Sequence, residues 1–404
     1  MAARAVQQRL NADHSDYTGP THPCTCGAPA RYAGRRAKRI QSVLGELTLE
    51  RAYYHCAACQ TGFSPRDQHL GLVGSSLSPA VTRMVGLVGA LLSFAEGSEL
   101  MRELAGVPVD AKQVERTAEA LGREIAEDER RVLEPEPPPV PTMYLGMDGT
   151  GVPLRASELQ GRAGKQPDGS AKTREVKLVT VWTAQARDNA GTPVRDPGSV
   201  TYSAAIESAA SRDTDEHPSE FAQRVDREAR RRGFDQAPRR VVLGDGAPWI
   251  WNLADEQFPG ATQIVDLYHA KQHLSDVAKA IYGPGSDLAA QWAKPRHDEL
   301  DDGKLDALLH VLRVHAEANN EARKCLDYVT RNQRRMRYPH FRAQGLAVSS
   351  GVVEAGCKVA IGTRLKRAGM HWTLAGANAI IALRCCKLSG RFEDFWERRS
   401  ASAR

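Results

Sequence analysis

Residues 142–154 read TMYLGMDGTGVPL. The apolar run from Met143 to Met147 ends at Asp148, and Gly149 and Gly151 follow it. The run has the length of a buried strand, and the glycines punctuate it as a turn. A carboxylate at the mouth of a buried strand is badly placed for packing and well placed to hold a cation. Further along, residues 239–251 repeat the pattern as RRVVLGDGAPWIW, with Asp245 after Val241, Val242 and Leu243 and with Gly246 next. Two strand ends carrying Asp-Gly put two carboxylates on adjacent strands. With Glu354 they form a candidate set of oxygen ligands for divalent metal.

Composition sets broad bounds. A chain of 404 residues with 41% hydrophobic content reads as a globular protein of two or three domains. No apolar run reaches the roughly 18 residues of a membrane span. The opening segment MAARAVQQRLNADHSD lacks an apolar signal core. A cytoplasmic protein with no membrane partner is therefore expected. The net charge of +6 is modest, but basic residues cluster at 31–39, 227–233, 331–337 and 363–367. Four such clusters point to a polyanionic partner.

Four of the eight cysteines fall in two close pairs, Cys24 with Cys26 and Cys56 with Cys59. Alternating segments lie between them, around Ile40 to Leu44 and Leu47 to Tyr54, with Gly45-Glu46 as the expected turn. Knuckle, hairpin, knuckle is the plan of a zinc ribbon, spanning residues 20–66, with four thiolates closing a structural site. The first pair is one residue tighter than usual, which leaves His22 as a substitute ligand. The alternative is a hairpin with reduced cysteines. The other four, Cys325, Cys357, Cys385 and Cys386, read as buried or free thiols.

Taken in order, residues 1–20 are polar and expected to fray. Residues 78–133 carry helical periodicity, with Val81, Met84, Val85, Val88 and Leu91 on one face. Gly106 ends one helix and Asp110 caps the next. The pair reads either as a helix-turn-helix that binds DNA through residues 111–125, with Arg116 and Arg123 along it, or as a plain helical hairpin. The proline-rich stretch 134–141 is a linker. After the strand of Asp148 come a polar, glycine-rich loop at 159–175 and strands near 176–183 and 199–205. A helix near 218–232, the strand of Asp245, a short helix, a further strand and a helix through Lys271 follow. Residues 286–337 are helical throughout, an insertion, and the section beginning SSGVVEAGCK places Glu354 on a helix. This order is that of an α/β ribonuclease-H-like domain over residues 142–390, in which the first and fourth strands are parallel neighbours.

The blocks YLGMDGTGVP, VVLGDGAPWIW, DLYHAKQHL and SSGVVEAGCK, followed by RLKRAGMHWTLAGANAIIALR, resemble bacterial insertion-sequence DDE transposases of the ISKra type. The resemblance covers residues 24–384 and includes the N-terminal zinc ribbon. It implies that Asp148, Asp245 and Glu354 form a catalytic triad holding two Mg²⁺ ions, with Mn²⁺ as a substitute, beside a structural Zn²⁺. Asp266 and His269 match the D-x-x-H of related families. His269 either orients Asp266 or a metal-bound water, or is a core histidine. Ile361 stands where some DDE groups place a basic residue. Lys358 either takes that role or pairs with Glu354 at i, i+4. Arg116, Arg123, Arg334, Arg335, Arg337, Arg364, Lys366 and Arg367 are the expected DNA contacts. Double-stranded DNA at transposon ends and target, and further copies of the chain on that DNA, are the implied partners. Cleavage and strand transfer at element ends is the implied activity. The alternatives are an inactive or domesticated DNA-binding relative and a simple ribonuclease-H-like nuclease.

Overall fold

The computed structural model describes residues 2–131, 137–164, 166–210, 217–349 and 351–402. They divide into two compact units, Met1–Glu129 with Gly390–Arg404, and Arg130–Ser389. Of the proline-rich linker, residues 134–136 lie outside the described residues, and 137–141 form neither helix nor strand.

The first unit begins with helix α1, Ala2–Ala12. Strands β1 (Thr21–Pro23), β2 (Pro29–Ser42), β3 (Gly45–His55) and β4 (Gly62–Phe63) follow, paired in that order in an antiparallel sheet. The expected fraying of residues 1–20 does not hold for α1. Gln7 and Asn11 use their side-chain amides to pair with the backbone of Thr48 and Glu50 on β3, at 2.8–3.0 Å. Buried Asp16 then accepts from the backbone N–H of Ala52 and from Arg35. Polar side chains here satisfy backbone groups that an α-helix cannot reach by itself. The hairpin turn also differs from expectation. Ser42 pairs with Gly45, so the loop is Val43-Leu44 rather than Gly45-Glu46. The Ser42 hydroxyl closes it by accepting from the Leu44 N–H and donating to the Gly45 carbonyl.

A short helix, α2 (Pro65–His69), leads to α3 (Pro79–Leu91), α4 (Phe94–Ala105) and α5 (Ala111–Arg131). The ends obey local chemistry. Ser93 and Glu96 form a reciprocal capping box at the start of α4. Gly106 closes α4 in the left-handed conformation, and Asp110 accepts from the Gln113 N–H at the start of α5. Val81, Val85, Met101 and Val114 form the core between these helices, whereas Leu91, at the end of α3, is exposed. The last helix, Phe392–Ser402, belongs to this unit. Phe392 lies against Gly86, and Arg398 and Arg399 pair with Asp128 and Glu124 on α5.

The second unit is built on one mixed sheet. Its strands are β5 (Thr142–Pro153), β6 (Thr173–Trp182), β9 (Thr201–Ala205), β10 (Arg239–Gly244) and β11 (Thr262–Val265), and the sheet order is β11-β10-β5-β6-β9. A small hairpin of β7 (Ala186–Arg187) and β8 (Pro193–Val194), absent from the sequence reading, interrupts the run. β5 and β6 pair antiparallel, as do β6 and β9, while β5–β10 and β10–β11 are parallel. Helix α6 (Glu220–Arg231) precedes β10, α7 (Pro248–Gln257) follows it, and α8 (Leu267–Tyr282) follows β11. The inserted section is α9 (Asp287–Asp301), α10 (Leu305–Ala316), α11 (Asn320–Asn332) and α12 (Tyr338–Ala343). Helix α13, Gly351–Gly356, then runs into a π-helix, Cys357–Gly362, and helix Leu374–Leu388 closes the unit. Residues 142–147 are all buried, as expected of a strand covered on both faces.

Candidate functional site

The strands that end in the two Asp-Gly pairs are parallel neighbours, with Gly244 opposite Met147. Asp148 and Asp245 are the next residues on each strand. Alternation along β5 puts Gly146, Asp148 and Thr150 on one face of the sheet. Helix α13 packs on that face: a Cβ at Gly146 would meet Val353 Cγ2 at 2.2 Å. The absence of a side chain at Gly146 is what lets the helix that carries Glu354 lie on the strand that carries Asp148. On the neighbouring strand, a Cβ at Gly356 would meet Leu178 at 2.9 Å and Thr180 at 3.1 Å.

Each acid has its own environment. Asp148 is half-buried, and its carboxylate accepts from the Gly149 N–H at 2.6 Å and from the Cys357 thiol. Burial pushes its carboxyl above the usual range, and the charge of Asp245 pushes the same way. The two hydrogen bonds and nearby His269 only partly offset this. Asp245 accepts from the Ala247 N–H at 2.8 Å, closing an Asx turn, and Gly246 follows at φ +101°. Tyr328 on α11 lies over Gly246 and donates to the Asp245 carbonyl at 2.7 Å. Glu354 is exposed, one helical turn before Cys357. None of the three carboxylates forms an ion pair among the described residues. They are oxygen donors carrying uncompensated charge, which fits a hard divalent cation. Among the described residues, however, only the four cysteines described below bring three or more ligand atoms close enough to share an ion, and the three carboxylates do not.

The flanking residues divide. Asp266 is buried and caps α8 by accepting from the Tyr268 N–H at 2.8 Å, while its own N–H reaches the Gly244 carbonyl. His269, half-buried on the first turn of α8, is close enough to Asp148 to act on its charge. Lys358 is exposed and, among the described residues, forms no ion pair with Glu354. Glu175 stands beside Gly149, hence on the sheet face opposite Asp148. Cys357 and Tyr328 were not singled out in the sequence. Cys357 could have been found at i+3 from Glu354, whereas nothing local marks Tyr328.

The cysteine cluster sits in the first unit. The sulfurs of Cys24, Cys26, Cys56 and Cys59 lie within 4.8 Å of one another, with Cys24–Cys59 and Cys26–Cys56 at 3.6 Å. A tetrahedron with Zn–S bonds of about 2.3 Å has edges of about 3.8 Å, so the spacing is compatible with structural zinc. The Cys24 thiol is pulled down to about 6 by the Cys26 backbone N–H and by neighbouring thiols. The Thr61 hydroxyl, 2.9 Å from Cys59 Sγ, lowers that thiol too. His22 is not in the cluster. Its ring packs against Tyr54 and Phe63, and Nδ1 bonds the Pro23 carbonyl.

The expected DNA-contacting residues are not equivalent. Arg116 and Arg123 are exposed on α5, and Arg334, Arg337, Lys366 and Arg367 are exposed on the second unit. Arg335 is half-buried. It donates to Gln263 Oε1 at 2.6 Å and covers the Trp251 ring. Arg364 departs from expectation: it is 0% exposed and stacks on Trp372, so it is not available to a surface ligand. Trp372 in turn donates to the Leu365 carbonyl at 3.0 Å and anchors this segment. No helix among the described residues is long and apolar enough to cross a membrane. No family model matches the chain, and no curated protein matches it at a significant level.

Proposed function

We propose that the chain is a DNA transposase of the DDE type, with a ribonuclease-H-like catalytic unit that cleaves and rejoins phosphodiesters at the ends of an insertion sequence. The observation that carries this reading is the convergence of Asp148 and Asp245 at parallel strand ends, on the sheet face that receives the helix of Glu354. The strand order supports the same reading, because its first and fourth large strands are parallel neighbours at the centre of the sheet. The sequence blocks that resemble ISKra-type transposases fall on these same elements.

Asp148, Asp245 and Glu354 would hold two Mg²⁺ ions, with Mn²⁺ as a substitute. Such ions, when bound, activate the attacking hydroxyl and stabilise the leaving oxygen of an in-line displacement. The chain's own residues prepare the place. The Cys357 thiol and the Gly149 N–H fix the orientation of the Asp148 carboxylate. The Ala247 N–H and the Tyr328 hydroxyl fix the Asp245 turn. Asp266 fixes the start of α8 and so the position of His269. The cysteine cluster would hold structural Zn²⁺ and keep the ribbon folded. Exposed Arg116, Arg123, Arg334, Arg337 and Arg367 would contact phosphates of the duplex, and more than one copy would assemble on DNA.

The test is incubation of the purified protein with its own flanking DNA ends and Mg²⁺. Joined products support a transposase. Shifted but uncut DNA points to an inactive DNA-binding relative, and cutting without joining to a nuclease.

A further inference from the structure

The sheet face that carries Asp148 also carries Thr150, two residues on, and the Thr150 hydroxyl accepts a hydrogen bond from Lys366 Nζ. The charge of Lys366 acts on Cys357, whose thiol donates to Asp148. Lys366 is exposed, and its partner here is a neutral hydroxyl. Among the described residues it forms no ion pair, although Asp148 lies two residues from Thr150 on the same face of the strand. Some lysines of this unit are neutralised by carboxylates, as Lys271 is by Asp301 and Lys304 by Asp302. A lysine held in place by a hydroxyl keeps its charge for a ligand.

The backbone explains how a residue so far along comes back to β5. The π-helix Cys357–Gly362 adds residues to the turn and changes which side chains return to the strand. Ile361 is buried, Lys358 points to solvent without a partner, and Lys366 lands on Thr150.

We propose that Lys366 is a catalytic residue of the carboxylate site, its ammonium contacting a non-bridging oxygen of the phosphodiester held beside Asp148, with Thr150 as the residue that positions it. The inference rests on the reading of Asp148, Asp245 and Glu354 as a phosphodiester-cleaving site. A phosphodiester entering three carboxylates meets like charge, and a fixed ammonium aimed at its oxygen offsets that repulsion without reorganising during the reaction.

The test uses the full chain and its own end DNA. Single-turnover cleavage at saturating DNA and Mg²⁺ should fall about 10²-fold in Lys366→Ala, the size of loss found when one preorganised donor is removed. Lys366→Arg should restore most of it, Thr150→Val should give a smaller loss, and Lys294→Ala should cleave at the wild-type rate. A second readout needs no turnover. In Ca²⁺, wild type should bind end DNA more tightly than the same DNA with one neutral methylphosphonate at the scissile position, and Lys366→Ala should lose that preference. A purely structural lysine would lower the melting temperature and leave the preference intact. Cleavage by Lys366→Ala at the wild-type rate, or a retained preference, overturns the inference alone. A wild-type protein that neither cuts nor discriminates the two DNAs overturns the reading of the site and the inference with it.

Discussion

Gly146→Ala tests the contact that seats the helix of Glu354 on the strand of Asp148. The new Cβ would lie 2.2 Å from Val353 Cγ2, 3.0 Å from Trp182 Cζ3 and 3.1 Å from Thr180 Oγ1. Carbon atoms pack comfortably at about 3.5–4.0 Å, so Val353 must retreat by roughly 1.3–1.8 Å. Val353, Trp182 and Thr180 are all buried, so the shift must be taken up within the packed interior. Overpacking of this kind costs about 1–3 kcal/mol. At about 2–4 °C per kcal/mol for a unit of this size, the melting temperature should fall by several degrees.

The same displacement carries Glu354, one residue after Val353, away from β5. A misplacement of about 1 Å at a reacting centre can cost about 10²-fold in rate. Cleavage should therefore fall much further than the loss of folded protein explains at a temperature where the variant is folded. Adding Val353→Ala makes room for the new methyl. The double variant should recover stability and rate relative to Gly146→Ala, with a coupling energy of about 0.5–3 kcal/mol. Thermal unfolding and single-turnover cleavage on the four proteins complete the cycle. If Gly146→Ala melts and cuts as wild type does, or if Val353→Ala adds to it without coupling, α13 does not rest on β5 as described.

Other outcomes follow from the same structure. Asp148→Asn, Asp245→Asn and Glu354→Gln should each abolish cleavage with folding and end binding retained, and any pair should cost little more than one, as for groups acting as a unit. Purified protein should carry about one zinc per chain, and chelation or Cys56→Ser should unfold the ribbon as followed by circular dichroism and zinc release. Replacing exposed Arg334 and Arg337 by Ala should reduce the slope of log affinity against log salt by about 1–2. Arg364→Ala should instead lower the melting temperature, since that side chain is fully buried against Trp372. Asp196 loses solvation, but donors at Thr183, Gln185 and Ala186 outweigh this and hold its carboxyl below the usual range. Its contribution to stability is therefore present above the unfolded carboxylate value and is lost as pH falls through the lower folded value. Asp196→Asn should flatten the acid limb of a stability–pH curve by that amount.

The sequence made the central strands legible because they are buried on both faces. Continuous apolar runs ending at Asp-Gly leave little choice of element at Asp148 and Asp245. The cysteine pairs were equally plain, since close spacing at both ends of a hairpin brings four sulfurs together. Features set by polar side chains acting at a distance were not legible. Nothing in the polar residues of α1 announces that Gln7 and Asn11 will bond the backbone of β3. The turn at Val43-Leu44 was misplaced because it depends on the Ser42 hydroxyl rather than on a glycine pair. Arg364 looked like its neighbours in a basic run, and its burial against Trp372 takes it out of the surface set.

The segment after Glu354 shows why residue counting fails at the site itself. Offsets of four place Lys358 beside Glu354 only on an α-helix, where each turn holds about 3.6 residues. From Cys357 to Gly362 the chain is a π-helix, and an inserted residue rotates everything after it by about a quarter turn or more. Beyond that turn Lys366 returns to Thr150, while Cys357 and Lys358 stand at its start, the thiol toward Asp148 and the lysine in solvent. A widened turn sacrifices regular hydrogen bonding, and here the irregular segment joins the exposed acid to both groups that meet β5. Removing one residue from that turn, for example Val359, should restore α-helical spacing and move Lys366 off Thr150. The unit should still melt cooperatively if the core residues Ala360 and Ile361 can re-dock. Cleavage should be lost even so, and a deletion variant that folds and still cuts at the wild-type rate would mean that the π-helix does not assemble the site.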